Sequence, residues 1–98
     1  MTETSDQTIM IVDDDKAFCA ALAGALRRRG HKTIIAHAYE EALAEAEAWA
    51  PTRAVVDLRM PGKGGLELVA TLRESFHHIA RYVHQPSAST SSTIDVVM

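Results

Sequence analysis

Cysteine is nearly absent from this chain. Cys19 is the only one among 98 residues, so no internal disulfide can form and a reducing compartment, the cytoplasm, is expected. Aromatic residues make up only 5% of the chain against 47% for all apolar types, so the core must be built from aliphatic side chains and alanine. No apolar run approaches the roughly 20 residues that a membrane-spanning helix needs. Residues 1–7 are polar and acidic, without the basic region and apolar core of a signal peptide, and are expected to form a flexible arm. Positive charge is in deficit. Ten Lys and Arg face thirteen Asp and Glu, for a net charge of −3, which excludes bulk attraction to nucleic acid or to anionic membranes. The length allows one domain.

What is present centres on residues 53–65, Arg-Ala-Val-Val-Asp-Leu-Arg-Met-Pro-Gly-Lys-Gly-Gly. Ala54, Val55 and Val56 form a short apolar run between Pro51 and Pro61, the pattern of a fully buried parallel strand. Asp57 ends that run, where open α/β sheets bind ligands. Pro61 and the glycines at 62, 64 and 65 keep the following residues out of a helix. A second apolar run, Thr8 to Val12, also ends in carboxylates, Asp13, Asp14 and Asp15. Two parallel strands would bring these acids together. Like charges about 4 Å apart repel by roughly 4 kcal/mol at an effective dielectric near 20, so such a cluster shares a proton or holds a cation. Hard oxygen ligands with room for water suit magnesium. A helix cap needs one side-chain oxygen, which accounts for Asp15 and leaves Asp13 and Asp14 over.

The remaining elements alternate. A first helix starts at Asp15, with Phe18, Leu22, Ala25 and Leu26 as its apolar stripe, Cys19 one step off it, and Gly30 as its stop. Arg27, Arg28 and Arg29 read as a solvated helix end rather than a nucleic-acid patch. A strand over Lys32 to Ala36 precedes a helix over Tyr39 to Ala50, whose inner side is marked by Leu43, Ala46 and Ala50 and in which Trp49 is read as packing. A third helix over Gly65 to Arg73 has Leu66, Val69 and Leu72 as its stripe, and Ile79 to His84 reads as a fourth strand. Residues 85–93 are rich in Ser and Thr and read as loop, and Ile94 to Met98 is too short to stand alone. The pattern predicts βαβ units with right-handed crossovers.

Val12-Asp13-Asp14-Asp15, followed by Val55-Val56-Asp57-Leu58-Arg59-Met60-Pro61-Gly62 and then Gly65-Leu66, resembles the receiver (CheY-like) domain of two-component response regulators. The triplet Asp13-Asp14-Asp15 with Phe18, Arg28-Arg29-Gly30 and Val56 to Arg59 is similar to the RegA/PrrA/ActR group of redox-responding regulators. The resemblance runs from about Thr8 to Glu74. It implies a doubly wound parallel sheet of the CheY/flavodoxin-like kind, with a partial receiver domain over residues 8–84 and a divergent tail over 85–98. It also implies a phosphoacceptor role for Asp57, served by a sensor histidine kinase. Asp14, Asp57 and the backbone carbonyl of Arg59 would bind Mg2+, Asp13 would hold a metal-bound water, and Ser87 or Ser89 would stand in for the phosphate-binding hydroxyl, with Ser87 preferred. The expected module is not an enzyme and makes no contact of its own with DNA or membrane.

Receiver domains continue through a fifth strand that carries a lysine and a fifth helix. No lysine follows Lys63 here. The expectation is therefore an incomplete fold lacking its fifth strand and fifth helix, by truncation, a shifted frame or divergence. Its fourth strand would be an open edge prone to homodimerisation or aggregation, and one face of the first and third strands would lose cover. Two rival readings stand beside the phosphoacceptor. One is an idle receiver that acts only as an interaction module. The other is a haloacid-dehalogenase-type phosphatase with Asp13 as nucleophile and Asp15 as acid.

Overall fold

A computed structural model of the chain describes residues 8–60, 62, 64–84 and 94–97. The elements alternate as β1 Thr8–Val12, α1 Lys16–Arg28, β2 Lys32–Ala36, α2 Tyr39–Trp49, β3 Arg53–Asp57, α3 Gly65–Ser75 and β4 Ala80–His84, with β5 Ile94–Val97 last. The sheet order is β2-β1-β3-β4-β5. The first four strands run parallel, and β5 runs antiparallel to β4. This is the doubly wound arrangement, in which strand order reverses beside β1 and opens a crevice at the carboxyl ends.

Alternation along each strand sorts the core into two layers. Met10, Val12, Ala36, Ala54 and Val56 point to the face covered by α2 and α3, where Ala42, Ala46, Leu68, Val69 and Leu72 meet them. Ile11 points to the opposite face, against Cys19 and Ala23 of α1. The closest residues of α1 and α2 are small because a helix axis must come near the sheet. Larger Leu22, Leu26 and Leu43 pack at the flanks. The expected stripe of α1 is therefore shifted by one residue, and Cys19, placed off it, is fully buried. In α2 the inner residues are Ala42 and Ala46, whereas Ala50 is exposed in a left-handed conformation at φ 47. In α3, Leu68 takes the place expected of Leu66, which is 70% exposed. Trp49, expected to pack, is 62% exposed. It lies on the last turn of α2, where it walls an open cavity with Thr8, Lys32, Thr33 and Ile34.

Local chemistry fixes the helix ends. Glu41 Oε1 accepts from the backbone amide of His37 at 2.8 Å, which ties the chain entering α2 to its first turn. The Tyr39 hydroxyl meets Thr71 Oγ1 at 2.8 Å and ties α2 to α3. Gly30, at φ 93, follows α1 in a conformation that glycine takes without strain.

Two expectations about the missing end meet different outcomes. The fourth strand is not an open edge, because Ile94–Val97 pairs with it from His84 to Arg81. The paired segment is four residues long and gains its place from β4 rather than from its own periodicity. The face of β1 and β3 beside α1 is incompletely covered, as expected. A cavity of about 290 Å³ there is lined by Ile9, Leu22, Leu26, Arg53, Val55 and Tyr82. Three helices lie among the described residues, and none is long and apolar enough to cross a membrane.

At Gly65 the backbone of β3's end leaves no room for a side chain. A Cβ there would lie 2.6 Å from the Leu58 Cα and would also strike the Asp57 carbonyl oxygen, both backbone atoms that cannot swing aside. Gly65→Ala is expected to cost about 1–3 kcal/mol, as overpacking does, measured by denaturant unfolding. A variant as stable as the parent would show that the start of α3 is not clamped against the end of β3.

Candidate metal and phosphoacceptor site

The parallel register sets Val12 beside Val56. The residues that follow, Asp13 and Asp57, therefore leave the sheet at the same edge. Both are buried, at 4% and 5% exposure, while Asp14 is exposed at the rim. One carboxylate oxygen from each of Asp13, Asp14 and Asp57 can be chosen so that all three lie within 4.8 Å of one another. Two of the three carboxylates are turned by the backbone that follows them. Asp13 Oδ1 accepts from the Asp15 amide at 2.9 Å, and Asp57 Oδ1 accepts from the Arg59 amide at 2.9 Å. Such bonds two residues along the chain make tight turns and fix the carboxylate's rotation.

The electrostatics follow from this crowding. Burial, foremost, raises the proton affinity of Asp13, and the charges of Asp57 and Asp14 and a hydrogen bond with Asp57 add to it. The Asp15 amide opposes the change. The result lifts the Asp13 pKa from 3.8 to about 6. Burial likewise pushes the Cys19 thiol up to about 11, helped by the neighbouring carboxylates. Cys19 Sγ donates to the Asp13 carbonyl at 3.2 Å. A thiol so placed supports the turn and is not a nucleophile.

Asp15 does what a cap does, and its Oδ1 accepts from the Phe18 amide at 3.0 Å. The carboxylate that the phosphatase reading needs as an acid is thus engaged at the start of α1. Arg59 contributes its amide to Asp57. Ser87 and Ser89 lie outside the described residues. The strand-end residue in register with Asp57 is His84, a histidine where the resemblance places a hydroxyl. The strand end at His84 was read correctly, but the position beside Asp57 was missed because the expected hydroxyl was sought further along, at Ser87 or Ser89.

The donor set suits a hard divalent cation. It offers carboxylate oxygens only, two buried and one at the rim, with a side open for water. A cation there would offset the burial of charge, which lifts the Asp13 pKa most, and the repulsion that adds to it.

Comparison with known proteins agrees with this geometry. Residues 9–97 match the family described as the response regulator receiver domain. The chain is 44% identical over 70 residues to the photosynthetic apparatus regulatory protein RegA of Rhodobacter capsulatus, covering 71% of this chain and 38% of that protein. It is 40% identical over 68 residues to the acid tolerance regulatory protein ActR of Rhizobium meliloti, covering 69% and 35%. It therefore spans little more than a third of the length of these curated relatives. Among solved structures, it superposes with a TM-score of 0.79 and 32% identity on a response regulator from Burkholderia pseudomallei that holds a phosphorylated aspartic acid, a calcium ion and citrate. That match covers 85% of this chain and 49% of the other.

The pH dependence of stability tests the crowding. Because the folded state raises the Asp13 pKa, it binds a proton that the unfolded chain has already lost. Stability contributed by that proton is present below about pH 4 and is lost as pH rises through about 6. Without divalent cations, denaturant unfolding of the parent should show stability falling over that interval, and the fall should shrink in Asp13→Asn. An equal fall in both proteins would contradict the account.

Proposed function

Because this chain belongs to the response regulator receiver family, we propose that it is the phosphoacceptor module of a two-component phosphorelay, taking a phosphoryl group on Asp57 from a sensor histidine kinase in the cytoplasm. The observation that carries this reading is the position of Asp57, at the carboxyl end of the central strand with Asp13 and Asp14 gathered around it. Further support comes from the Burkholderia relative, which holds a phosphorylated aspartic acid.

A carboxylate oxygen of Asp57 attacks phosphorus as the phosphorus–nitrogen bond of the donor histidine breaks. The departing imidazole keeps the electron pair and takes a proton, and Asp57 becomes an acyl phosphate. Asp14, Asp57 and the Arg59 carbonyl would hold Mg2+, with Asp13 beside them to orient its hydration. Its chemistry there would be to neutralise charge between the acceptor and the incoming oxygens. The protein supplies position. Burial of Asp57 and its bond from the Arg59 amide hold the acceptor in one orientation.

The sequence has no lysine after Lys63. In the family that group reads the phosphate, and residues 64–98 do not supply it. The same observation favours a second reading, in which the site is idle and the fold serves only for protein contact.

Incubation with a small phosphodonor and Mg2+, followed by intact mass and peptide mapping, separates the readings. One phosphoryl group should appear on the peptide containing Asp57 and be absent from Asp57→Asn. Label on a histidine or serine with Asp57 unmodified would overturn the acceptor assignment. A protein that takes no label would favour the idle module.

A further inference from the structure

The face of the sheet that carries α1 is only half covered. Ile11 of β1 and Ile35 of β2 pack against α1, while α2 and α3 cover the opposite face. Among the described residues, no helix lies over β3 and β4 on the α1 side. The cavity of about 290 Å³ walled by Ile9, Leu22, Leu26, Arg53, Val55 and Tyr82 opens there. A helix with its side chains is about 10 Å across and neighbouring strands lie about 5 Å apart, so the bare strip is one helix wide.

Helix α1 is itself apolar on every side. From Ala17 to Leu26 it has no charged, amide or hydroxyl side chain. Cys19 and Ala23 face the sheet. Ala21, about half a turn from both, faces away, and Ala17 and Ala25 share its side. Ala17, Ala20 and Ala21 are exposed. A helix that is apolar all round belongs in an interior, and its small outer side chains allow a second layer to come close.

We propose that α1 of a second copy fills the strip, so that two antiparallel α1 helices lie between two sheets. Each helix then meets its own sheet through Cys19 and Ala23, the other sheet through Ala17, Ala21 and Ala25, and its twin along the side of Phe18 and Leu22. The charges on this face set the direction. Asp14 and Asp15 stand exposed before α1, followed by Lys16, and Arg28 and Arg29 stand exposed at its end. Arg27 Nη2 is engaged with the Thr33 carbonyl at 2.9 Å. Arg53, also exposed, lines the strip at the amino-terminal edge of the sheet, where α1 ends. The buried Asp13 and Asp57 close the strip at the other edge. An antiparallel second copy brings its own Asp14 and Asp15 to Arg53 and to the Arg28 and Arg29 end, and the two-fold axis repeats that contact. A parallel one would set the arginines of both copies together. The glutamates of α2 and α3 lie on the far face of the sheet and take no part. The proposal is independent of the phosphoacceptor reading.

Analytical ultracentrifugation over a range of protein concentrations tests this on the full chain and on Ala21→Glu, Arg28→Glu and Ala48→Glu, with far-ultraviolet dichroism confirming that each is folded. Ala21 and Ala48 are both exposed in the single chain, and Ala48 lies on α2, away from the strip. The parent should form a dimer. Ala21→Glu should abolish it, because a carboxylate would enter the closed interior, and Ala48→Glu should leave it intact. Arg28→Glu should raise the dissociation constant, because it sets carboxylates against Asp14 and Asp15 of the second copy. A parent that stays monomeric at every concentration would overturn the proposal and leave the strip to another occupant. A dimer that survives Ala21→Glu would place the interface elsewhere and also overturn it. So would assembly that continues past two copies, since a two-fold contact closes on itself. A dimer tightened by Arg28→Glu would overturn the antiparallel arrangement.

Discussion

The register between β1 and β3 is the constraint on which the molecule turns. Once Val12 stands beside Val56, the chain has no choice about where Asp13 and Asp57 emerge. Both strands are buried on two faces, so a slip of one residue would exchange Met10 and Val12 for Ile9 and Ile11 in the layer facing α2 and α3. The hydrophobic layers therefore hold together carboxylates that repel. The raised pKa of Asp13 reflects its burial first and this repulsion second. A stable fold here carries a local electrostatic strain, and that strain makes the site receptive to a cation.

Other features secure this edge. Gly65 lets α3 begin against the backbone of Asp57 and Leu58, so the loop that leaves the acceptor is closed by packing and not by side-chain bonds alone. The Asp15 cap, two residues after Asp13, sets the start of α1. Cys19, one turn into that helix, donates back to the Asp13 carbonyl. Each of these contacts is short in sequence, so the site's geometry is largely written within the segments that follow β1 and β3.

That locality explains what could be read from the sequence. The two strands, their terminal acids and the role of Asp15 as a cap follow from runs of residues whose chemistry admits few alternatives. Helix phase was less secure. With 3.6 residues per turn, a stripe through Leu22 and Leu26 and one through Cys19 and Ala23 differ by about 100°, and only contact with the sheet selects the second. Leu66 and Leu68 are confused for the same reason. Trp49 misleads because an aromatic residue at the end of a helix is legible as apolar, but how much of its ring the sheet edge covers is not. The strand β5 was illegible because four residues have no period of their own and are ordered by the partner they meet. The place of His84 beside Asp57 was missed because the expected hydroxyl was sought further along, at Ser87 or Ser89.

The central claim is that the carboxylates of Asp13, Asp14 and Asp57 together form a divalent-cation site. Calorimetric titration with Mg2+ tests it most directly, on the parent and on Asp14→Asn and Asp57→Asn. The account predicts a single weak site in the parent and a clear loss of affinity in both variants. Binding unchanged by either substitution would place the ion elsewhere and contradict it.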